Sequence, residues 1–171
     1  MSGHRHRSTY SYRAKLGLIV PPTNTVNEAE WSRLMPDGVT FHTHRMPLHP
    51  NASKPEGRAE LLADLDGVVG ILAQARVDVV AYACTAGSMI NPVNSLPDDI
   101  RQRTGVPAVT TSAAIIAALK ALGATKLSVA TPYHAALNEH EAHFLAENGF
   151  DVLNLVGLGI GANGPQDYPR I

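Results

Sequence analysis

The stretch Val77-Asp-Val-Val-Ala-Tyr-Ala-Cys-Thr-Ala-Gly-Ser88 is the part of the sequence that decides the fold. Its first half is a short apolar run rich in β-branched residues, which is typical of a buried strand. Its second half is small and polar, and in parallel α/β sheets ligands collect at the carboxyl ends of the strands. Cys84, the single cysteine of the 171 residues, stands at that point. Location alone leaves two interpretations open, a small buried hydrophobe or a reactive thiol.

Strands and helices alternate on both sides of this stretch. Short apolar runs that end at Gly, Pro or polar residues predict six strands, at 15–20, 39–46, 77–83, 107–110, 126–130 and 151–156. Apolar residues at helical spacing predict helices at 27–34, from Pro55 onward, and at 97–104, 113–122 and 134–148. Ser112 is the predicted cap of the helix at 113–122. Strands separated by helices imply an α/β fold with a parallel sheet and right-handed crossovers.

The sequence also contains an internal repeat. Residues 14–21 align with residues 125–132 at an offset of 111 positions, and the same offset places Glu28 on Glu139 and Val39 on Phe150. Because any two α/β units share some pattern, coincidence is the alternative explanation. A true repeat predicts a first α/β lobe at 13–122 and the start of a second, incomplete lobe at 123–171. The polar residues before them predict a disordered N-terminal tail at 1–12.

An incomplete lobe has a consequence for the surface of the protein. A parallel sheet without a neighbouring strand and covering helix exposes apolar faces and unpaired backbone groups. Five apolar residues of the last predicted strand would then face water or a partner, namely Val152, Leu153, Leu155, Val156 and Leu158. We therefore expect either a larger polypeptide or a homo-oligomer.

Composition argues against several function classes. The formal net charge of −1, a pI near 6.7 and an aromatic content of 5% predict no nucleic-acid partner. No apolar run approaches the roughly 20 residues that cross a bilayer, so no membrane partner is predicted. A polar N-terminus and a single cysteine predict a cytoplasmic protein.

Cofactor and metal signals are equally sparse. There is no Gly-rich phosphate loop and no acidic pair at neighbouring strand ends, so we predict no cofactor and no metal. His42 and His44 lie on one strand face, with His49 nearby, and we interpret that face as exposed rather than as a zinc site. His140 and His143 share a helix face, which we interpret as solvated.

Three strand-end loops hold the candidate site. In the first, Asn24 and Thr25 offer donors beside a helix N-terminus, although plain helix capping is the alternative. In the second, Thr85 and Ser88 are donors next to Cys84, and Gly87 would let a backbone approach a ligand. Tyr133, in the third loop, would project toward the same cleft, with a hydroxyl in water as the alternative. One thiol, neutral donors and little permanent charge suit cofactor-free chemistry on a small carboxylate.

These residues resemble a known family. The matching pieces are Pro21-Pro-Thr-Asn-Thr25 with Glu28, Tyr82-Ala-Cys-Thr-Ala-Gly-Ser88, and Ala130-Thr-Pro-Tyr133 with Asn138 and Glu139. They resemble the aspartate/glutamate racemase superfamily, and within it the maleate cis-trans isomerase branch, which includes arylmalonate decarboxylases. The resemblance runs from about Tyr12 to the end. It implies two pseudo-symmetric Rossmann-like (flavodoxin-like) lobes with a cleft between them, the second lobe being truncated in this sequence.

The resemblance also implies a reaction. The Cys84 thiolate would add to the alkene of a cis-dicarboxylate, as in the conversion of maleate to fumarate, and the adduct would rotate and eliminate as the trans isomer. The positions that match the substrate-binding donors are Asn24, Thr25, Thr85 and Tyr133, and no cofactor is implied. The second cysteine of the family, which would handle proton transfer, has no counterpart here, which leaves the activity of the 171-residue chain open.

Two alternatives remain at this point. A related decarboxylase or racemase of small carboxylates is the first. The glutamate racemase pattern is Cys-Asn-Thr where this sequence has Cys84-Thr85-Ala86, and the decarboxylases typically lack a thiol at the position of Cys84. The second alternative is a non-catalytic lobe that binds small dicarboxylates.

Overall fold

A computed structural model describes residues 8–49, 52 and 54–170 of the chain. Its strands are β1 (Ala14–Val20), β2 (Val39–Arg45), β3 (Val79–Tyr82), β4 (Ala108–Thr110), β5 (Lys126–Tyr133) and β6 (Asp151–Ile160). Its α-helices are α1 (Asn27–Leu34), α2 (Pro55–Gln74), α3 (Thr85–Ser88), α4 (Ser95–Thr104), α5 (Thr111–Ala121) and α6 (Ala135–Glu147), and a 3₁₀ helix, η1, spans Pro165–Arg170. All six strands and the five longer helices that the sequence predicts are present.

The first four strands form one parallel sheet in the order β2-β1-β3-β4. This order confirms the predicted parallel α/β fold. It also contains a switch point between β1 and β3. After β1 the next strand, β2, is added on one side of the sheet, and after β3 the next strand, β4, is added on the other side. Ligands of open α/β sheets bind at such a switch point, beyond the carboxyl ends of the strands. The loops that follow β1 and β3 are those that contain Asn24 and Cys84.

The remaining two strands, β5 and β6, form a second parallel sheet. Its strand register repeats that of the first sheet: Lys15 pairs with Thr40, and 111 positions later Lys126 pairs with Asp151. The unit β1-α1-β2 therefore has a counterpart in β5-α6-β6 that starts in the same register, and an irregularity between Leu127 and Ser128 then shifts the pairing of β5 with β6. Two apolar residues of β6, Val152 and Leu155, are half-buried, while its most exposed apolar side chains are those of Leu153, Val156 and Leu158.

Two apolar clusters hold these layers together. The central strands of the first sheet are buried without residual exposure at Ile19 and Val80, and α2 packs on them through Leu61 and Val69. A second cluster joins the first sheet to the second through residues of α5, α6 and the segments next to them, namely Met89, Ile116, Phe144, Leu145 and Phe150. The end of β5 lines the same cavity as the loops after β1 and β3.

The start of α5 differs from the prediction. Thr110, and not Ser112, caps the helix, because Thr110 keeps extended backbone at the end of β4 and its side-chain oxygen accepts a hydrogen bond from Ala113 N at 3.3 Å. Ser112 lies inside the helix and is buried; its hydroxyl donates to the carbonyl of Ser88, and its N–H donates to Ser88 Oγ at 3.1 Å. Ser88 is therefore used to join α3 to α5, and the prediction that it serves as a ligand donor is wrong.

The N-terminal segment packs closer to the fold than the sequence suggested. Residues 1–7 of the tail predicted at 1–12 lie outside the described residues. Ser11 is buried with its hydroxyl 2.7 Å from Thr40 Oγ1, and the Tyr12 hydroxyl donates to the Asp37 carboxylate. Among the described residues, no helix is long and apolar enough to cross a membrane, and no group of His, Cys, Asp and Glu is placed to hold a metal ion.

Candidate active site

A cavity of about 700 Å³ opens where the predicted strand-end loops meet. The loop after β1, the segment from Cys84 through α3, the end of β5 and the segment around η1 each form part of its wall. The structure brings together all five residues predicted for the site, since the lining includes Asn24, Thr25, Cys84, Thr85 and Tyr133. Thr25 is exposed at the wall, whereas Cys84 is buried and the other three are half-buried.

The structure shows the helix-capping role of Asn24, and its role as a ligand donor stays a prediction. Its side-chain oxygen accepts hydrogen bonds from Val26 N at 3.1 Å and Asn27 N at 3.0 Å, which satisfies free N–H groups at the start of α1. The NH₂ of the same amide is thus the group left to donate into the cavity that Asn24 lines. Arg45 fixes this loop from β2, because it donates to Asn24 O at 2.6 Å and pairs with Glu28 at 2.5 Å.

The Cys84 thiol is held by the backbone that follows it. Cys84 keeps extended backbone at the end of β3 and acts as the N-cap of the short helix α3, with Sγ accepting a hydrogen bond from Gly87 N at 3.3 Å. Burial is the largest influence on this group and raises the pKa of Cys84. The Gly87 N–H and the Tyr82 hydroxyl act against burial and lower the pKa, because both donate to the sulfur.

Gly87 makes this arrangement possible. A Cβ atom at position 87 would lie 2.5 Å from the Tyr82 hydroxyl oxygen and 3.0 Å from Cys84 Sγ, so any side chain would separate the phenol from the thiol. The sequence assigned Gly87 to the close approach of a ligand. In the structure its lack of a side chain serves the contact between Tyr82 and Cys84.

Tyr133 faces the cavity from the second sheet. Burial raises the pKa of Tyr133 to about 12, the Thr85 hydroxyl lowers it, and the Glu141 and Cys84 charges add smaller rises. Tyr133 is half-buried and lines the cavity, and its role as a substrate donor stays a prediction. The main chain of Tyr133 is fixed by Thr131 and Asn138: Thr131 Oγ1 accepts from Tyr133 N at 3.0 Å, and Asn138 donates to Tyr133 O at 3.3 Å.

The cavity has further walls that the sequence did not reveal. Tyr168, from η1, is half-buried; burial and then the Cys84 charge raise its pKa. Its ring fills the space beside Gly161, where a Cβ would lie 2.5 Å from the hydroxyl oxygen. His140 also lines the cavity, half-buried, with Nε2 3.1 Å from Met89 O, so the expected solvated helix face is wrong for this residue. A four-residue helix and a 3₁₀ turn give no apolar periodicity by which sequence analysis could find them.

Comparison with known proteins identifies the family to which this chain belongs. Residues 16–163 match the family model described as arylmalonate decarboxylase. The chain belongs to the arylmalonate decarboxylase family. This confirms the resemblance derived from the strand-end loops, because maleate isomerases and an arylmalonate decarboxylase are both among the similar proteins.

Three proteins illustrate how similar this chain is to known proteins. It is 29% identical over 164 residues to a maleate isomerase of Pseudomonas putida, covering 87% of the chain and 65% of that protein. It is 31% identical over 150 residues to an arylmalonate decarboxylase of Bordetella bronchiseptica, covering 85% of the chain and 60% of that protein. The third is the structure of a Nocardia farcinica maleate cis-trans isomerase mutant with a covalently bound succinylcysteine intermediate. It superposes with a TM-score of 0.72 at 26% sequence identity, and the match covers 86% of this chain and 64% of that one. The chain thus spans less than two thirds of the length of each.

Proposed function

We propose that this protein is a cofactor-independent cis-trans isomerase of a small dicarboxylate, of the maleate-to-fumarate type, with Cys84 as the covalent nucleophile. The observation that carries the proposal is the position of the buried Cys84 thiol in a cavity whose other walls provide neutral hydrogen-bond donors. The relatives support it, since several are maleate isomerases and one retains a succinylcysteine intermediate.

The reaction needs only the thiol and a place for one proton. The thiolate sulfur bonds to one alkene carbon, and the π pair moves toward the neighbouring carbon and its carboxylate. That carbon takes up a proton equivalent to the one that the thiol gave up, which leaves a succinyl thioether with a single C–C bond. Rotation about this bond, removal of the proton and cleavage of the C–S bond release the trans isomer and restore the thiol.

The two carboxylates of the substrate require donors on opposite sides of the thiol. We assign one carboxylate to the Asn24 amide and the Thr25 hydroxyl, from the loop after β1. The other is assigned to Thr85, which follows Cys84 at the start of α3, and to Tyr133, from the end of β5. Hydrogen bonds to a charged acceptor are among the stronger ones in proteins, so neutral donors can hold a dicarboxylate in this cavity.

A related decarboxylase is the second candidate, because the matching family model carries that name and the Bordetella bronchiseptica relative is 31% identical. A non-catalytic lobe that binds dicarboxylates is the third, since burial raises the pKa of Cys84 and so disfavours the nucleophilic thiolate. The products separate these candidates: fumarate from maleate, carbon dioxide from an arylmalonate, or binding without turnover.

The assembly and location of the protein stay predictions. We propose a homo-oligomer, supported by the exposed apolar residues Leu153, Val156 and Leu158 on β6. A cytoplasmic location is supported by the presence of a single cysteine in the sequence.

The test is Cys84→Ser in the full-length protein, with maleate and fumarate followed by nuclear magnetic resonance. We expect nearly complete loss of isomerisation, because a hydroxyl at its ordinary pKa is a far weaker nucleophile than a thiolate. A mass increase equal to maleate on the peptide that contains Cys84 would support the covalent step.

A matched control returns a thiol elsewhere on the surface. Ser32 is exposed on α1, so Ser32→Cys in the Cys84→Ser background supplies a solvent-accessible thiol outside the cavity. This double variant should stay inactive. Near-normal turnover in Cys84→Ser would overturn the proposal, whatever the control shows.

A further inference from the structure

We propose that Tyr82 is the residue that stabilises the Cys84 thiolate, its phenol hydroxyl and the Gly87 N–H together forming a two-donor pocket for the negative charge on the sulfur. The inference rests on the proposed function to the extent that Cys84 is the nucleophile. It adds a residue with a defined role, and its test reads the thiol directly rather than through turnover.

The strand geometry places the two side chains together. Tyr82 is the last residue of β3 and Cys84 follows two positions later in extended backbone. Because side chains two positions apart point to the same face of a strand, the phenol and the thiol share one side of the sheet. The empty space at Gly87 lies 2.5 Å from the Tyr82 oxygen and 3.0 Å from Cys84 Sγ, so both groups converge on one point.

The Tyr82 hydroxyl needs a partner and has one. Only 3% of Tyr82 is exposed, and a buried tyrosine hydroxyl is normally hydrogen-bonded. Within the part of the chain that the structure describes, Cys84 is the side chain that interacts with this hydroxyl. The Gly87 N–H reaches the same sulfur at 3.3 Å, so two donors from different positions meet there.

The surroundings of Tyr82 determine that the phenol donates a hydrogen bond to the Cys84 sulfur and does not accept its proton. Burial, and then the adjacent Cys84 charge, raises the pKa of Tyr82 far above that of an ordinary tyrosine. The phenol therefore keeps its proton when the thiol loses its own, and it acts as a donor rather than as a base. A hydrogen bond of this kind is electrostatically stronger in a buried site than in water.

The role fits both halves of the proposed reaction. Negative charge is on Sγ before the C–S bond forms and again after that bond breaks, and the two donors stabilise the sulfur in both states. Tyr82 itself forms no bond with the substrate and gives up no proton. The other titratable groups on this cavity are Tyr133 from β5, His134 and His140 from the start and the middle of α6, Tyr168 from η1 and His49 from the segment after β2.

The experiment is Tyr82→Phe in the full-length protein, with the rate of alkylation of Cys84 by iodoacetamide measured across pH. Mass spectrometry locates the adduct on the peptide that contains Cys84. We expect the inflection of the pH profile to move up by about one unit, so that alkylation below both inflections falls about tenfold, while the plateau at high pH changes less than about twofold. Tyr10→Phe is the matched control, because Tyr10 is 79% exposed and should leave the profile unchanged.

A purely structural role gives a different result. It would lower the melting temperature or the plateau rate and leave the inflection in place, and that outcome would overturn the inference. If Tyr82→Phe does not fold, a fluorotyrosine at position 82 keeps the shape and strengthens the donor, so the inflection should move down. An unmoved inflection there would equally overturn it. Absence of isomerase activity with a shifted inflection would count against the proposed function alone.

Discussion

At the scale of single residues, the predicted hydrogen-bond donors of the cavity are neutral side chains. The cavity offers an amide from Asn24 and hydroxyls from Thr25, Thr85 and Tyr133, and none of these carries a charge at neutral pH. Arg45, which is charged, is turned to the Asn24 carbonyl and the Glu28 carboxylate. Recognition of the proposed dicarboxylate in such a site would depend on the number and direction of hydrogen bonds, so the removal of one donor should measurably weaken binding.

Tyr133→Phe tests that cost. The fold should persist, because the main-chain contacts of Tyr133 with Thr131 and Asn138 do not involve the hydroxyl. Loss of a donor to a charged acceptor should weaken substrate binding by about 1–3 kcal/mol, which Michaelis constants and equilibrium binding of fumarate would measure. Unchanged affinity, with the Tyr10→Phe control also unchanged, would remove Tyr133 from the binding site.

The pKa of Tyr133 adds a pH dependence with a definite sign. The folded value of about 12 lies above the value of about 10 for an unfolded tyrosine. The contribution of Tyr133 to the free energy of unfolding is therefore complete below pH 10 and falls as the pH rises from 10 to 12. Chemical denaturation at both ends of that range should show a smaller decline in Tyr133→Phe than in the natural protein.

Sequence analysis located the predicted site residues because a simple rule governs them. Asn24, Cys84 and Tyr133 each follow a strand, and parallel strands deliver their carboxyl ends to one edge. The role of Tyr82 follows from the two-residue period of a strand and could also have been read from the sequence. Tyr168 could not, because its position depends on how η1 turns back over Gly161, and no local pattern encodes that return.

At the scale of elements, Gly157 controls how β5, β6 and α6 meet. A Cβ at position 157 would lie 2.1 Å from Asn138 Nδ2 and 2.4 Å from Tyr133 O. Asn138 is buried, accepts from the Thr131 hydroxyl at 2.6 Å and donates to Tyr133 O, so it joins the helix to the end of β5. A side chain at position 157 would break that junction.

Gly157→Ala should therefore destabilise the protein and displace Tyr133, with a cost of about 1–3 kcal/mol for overpacking and a lost buried hydrogen bond. Gly70→Ala is the matched control, because a Cβ at Gly70 in helix α2 meets no atom within 4 Å and should raise stability by up to about 1 kcal/mol. Denaturant unfolding of both variants measures the difference. Equal stability of Gly157→Ala and the natural protein would contradict the packing argument.

The elements predicted well are those with strong periodicity, such as α2 with its buried Leu61 and Leu65. The cap of α5 was misassigned because Thr110 and Ser112 are both good capping residues. Only the extended backbone at the end of β4 selects Thr110, and that backbone is set by pairing with β3 rather than by local sequence.

At the scale of the whole molecule, the start of the second sheet repeats the strand pairing of β1 with β2. The offset of 111 residues predicted from the sequence relates Lys15 and Thr40 to Lys126 and Asp151, which pair in the same register. What the offset could not predict is the way the sheets join, because that junction depends on non-local contacts of Met89 and Ile116 with Phe144 and Phe150. The cavity takes residues from the loops that follow β1 and β3 and from the end of β5.

The last prediction concerns the oligomeric state of the protein and follows from the second sheet. Parallel sheets are normally covered on both faces, yet β6 presents Val156 at 66% and Leu158 at 74% exposure. We expect the protein to associate through this strand, so analytical ultracentrifugation should give a mass above the 18.2 kDa of the chain.

Leu158→Glu should shift the equilibrium toward the monomer, because a charge buried without a partner in an apolar contact is costly. Leu34→Glu is the control, since Leu34 is 72% exposed on α1 and lies on the first lobe. A stable monomer of the unsubstituted chain, or an equal effect of both variants, would show that β6 is not the contact surface.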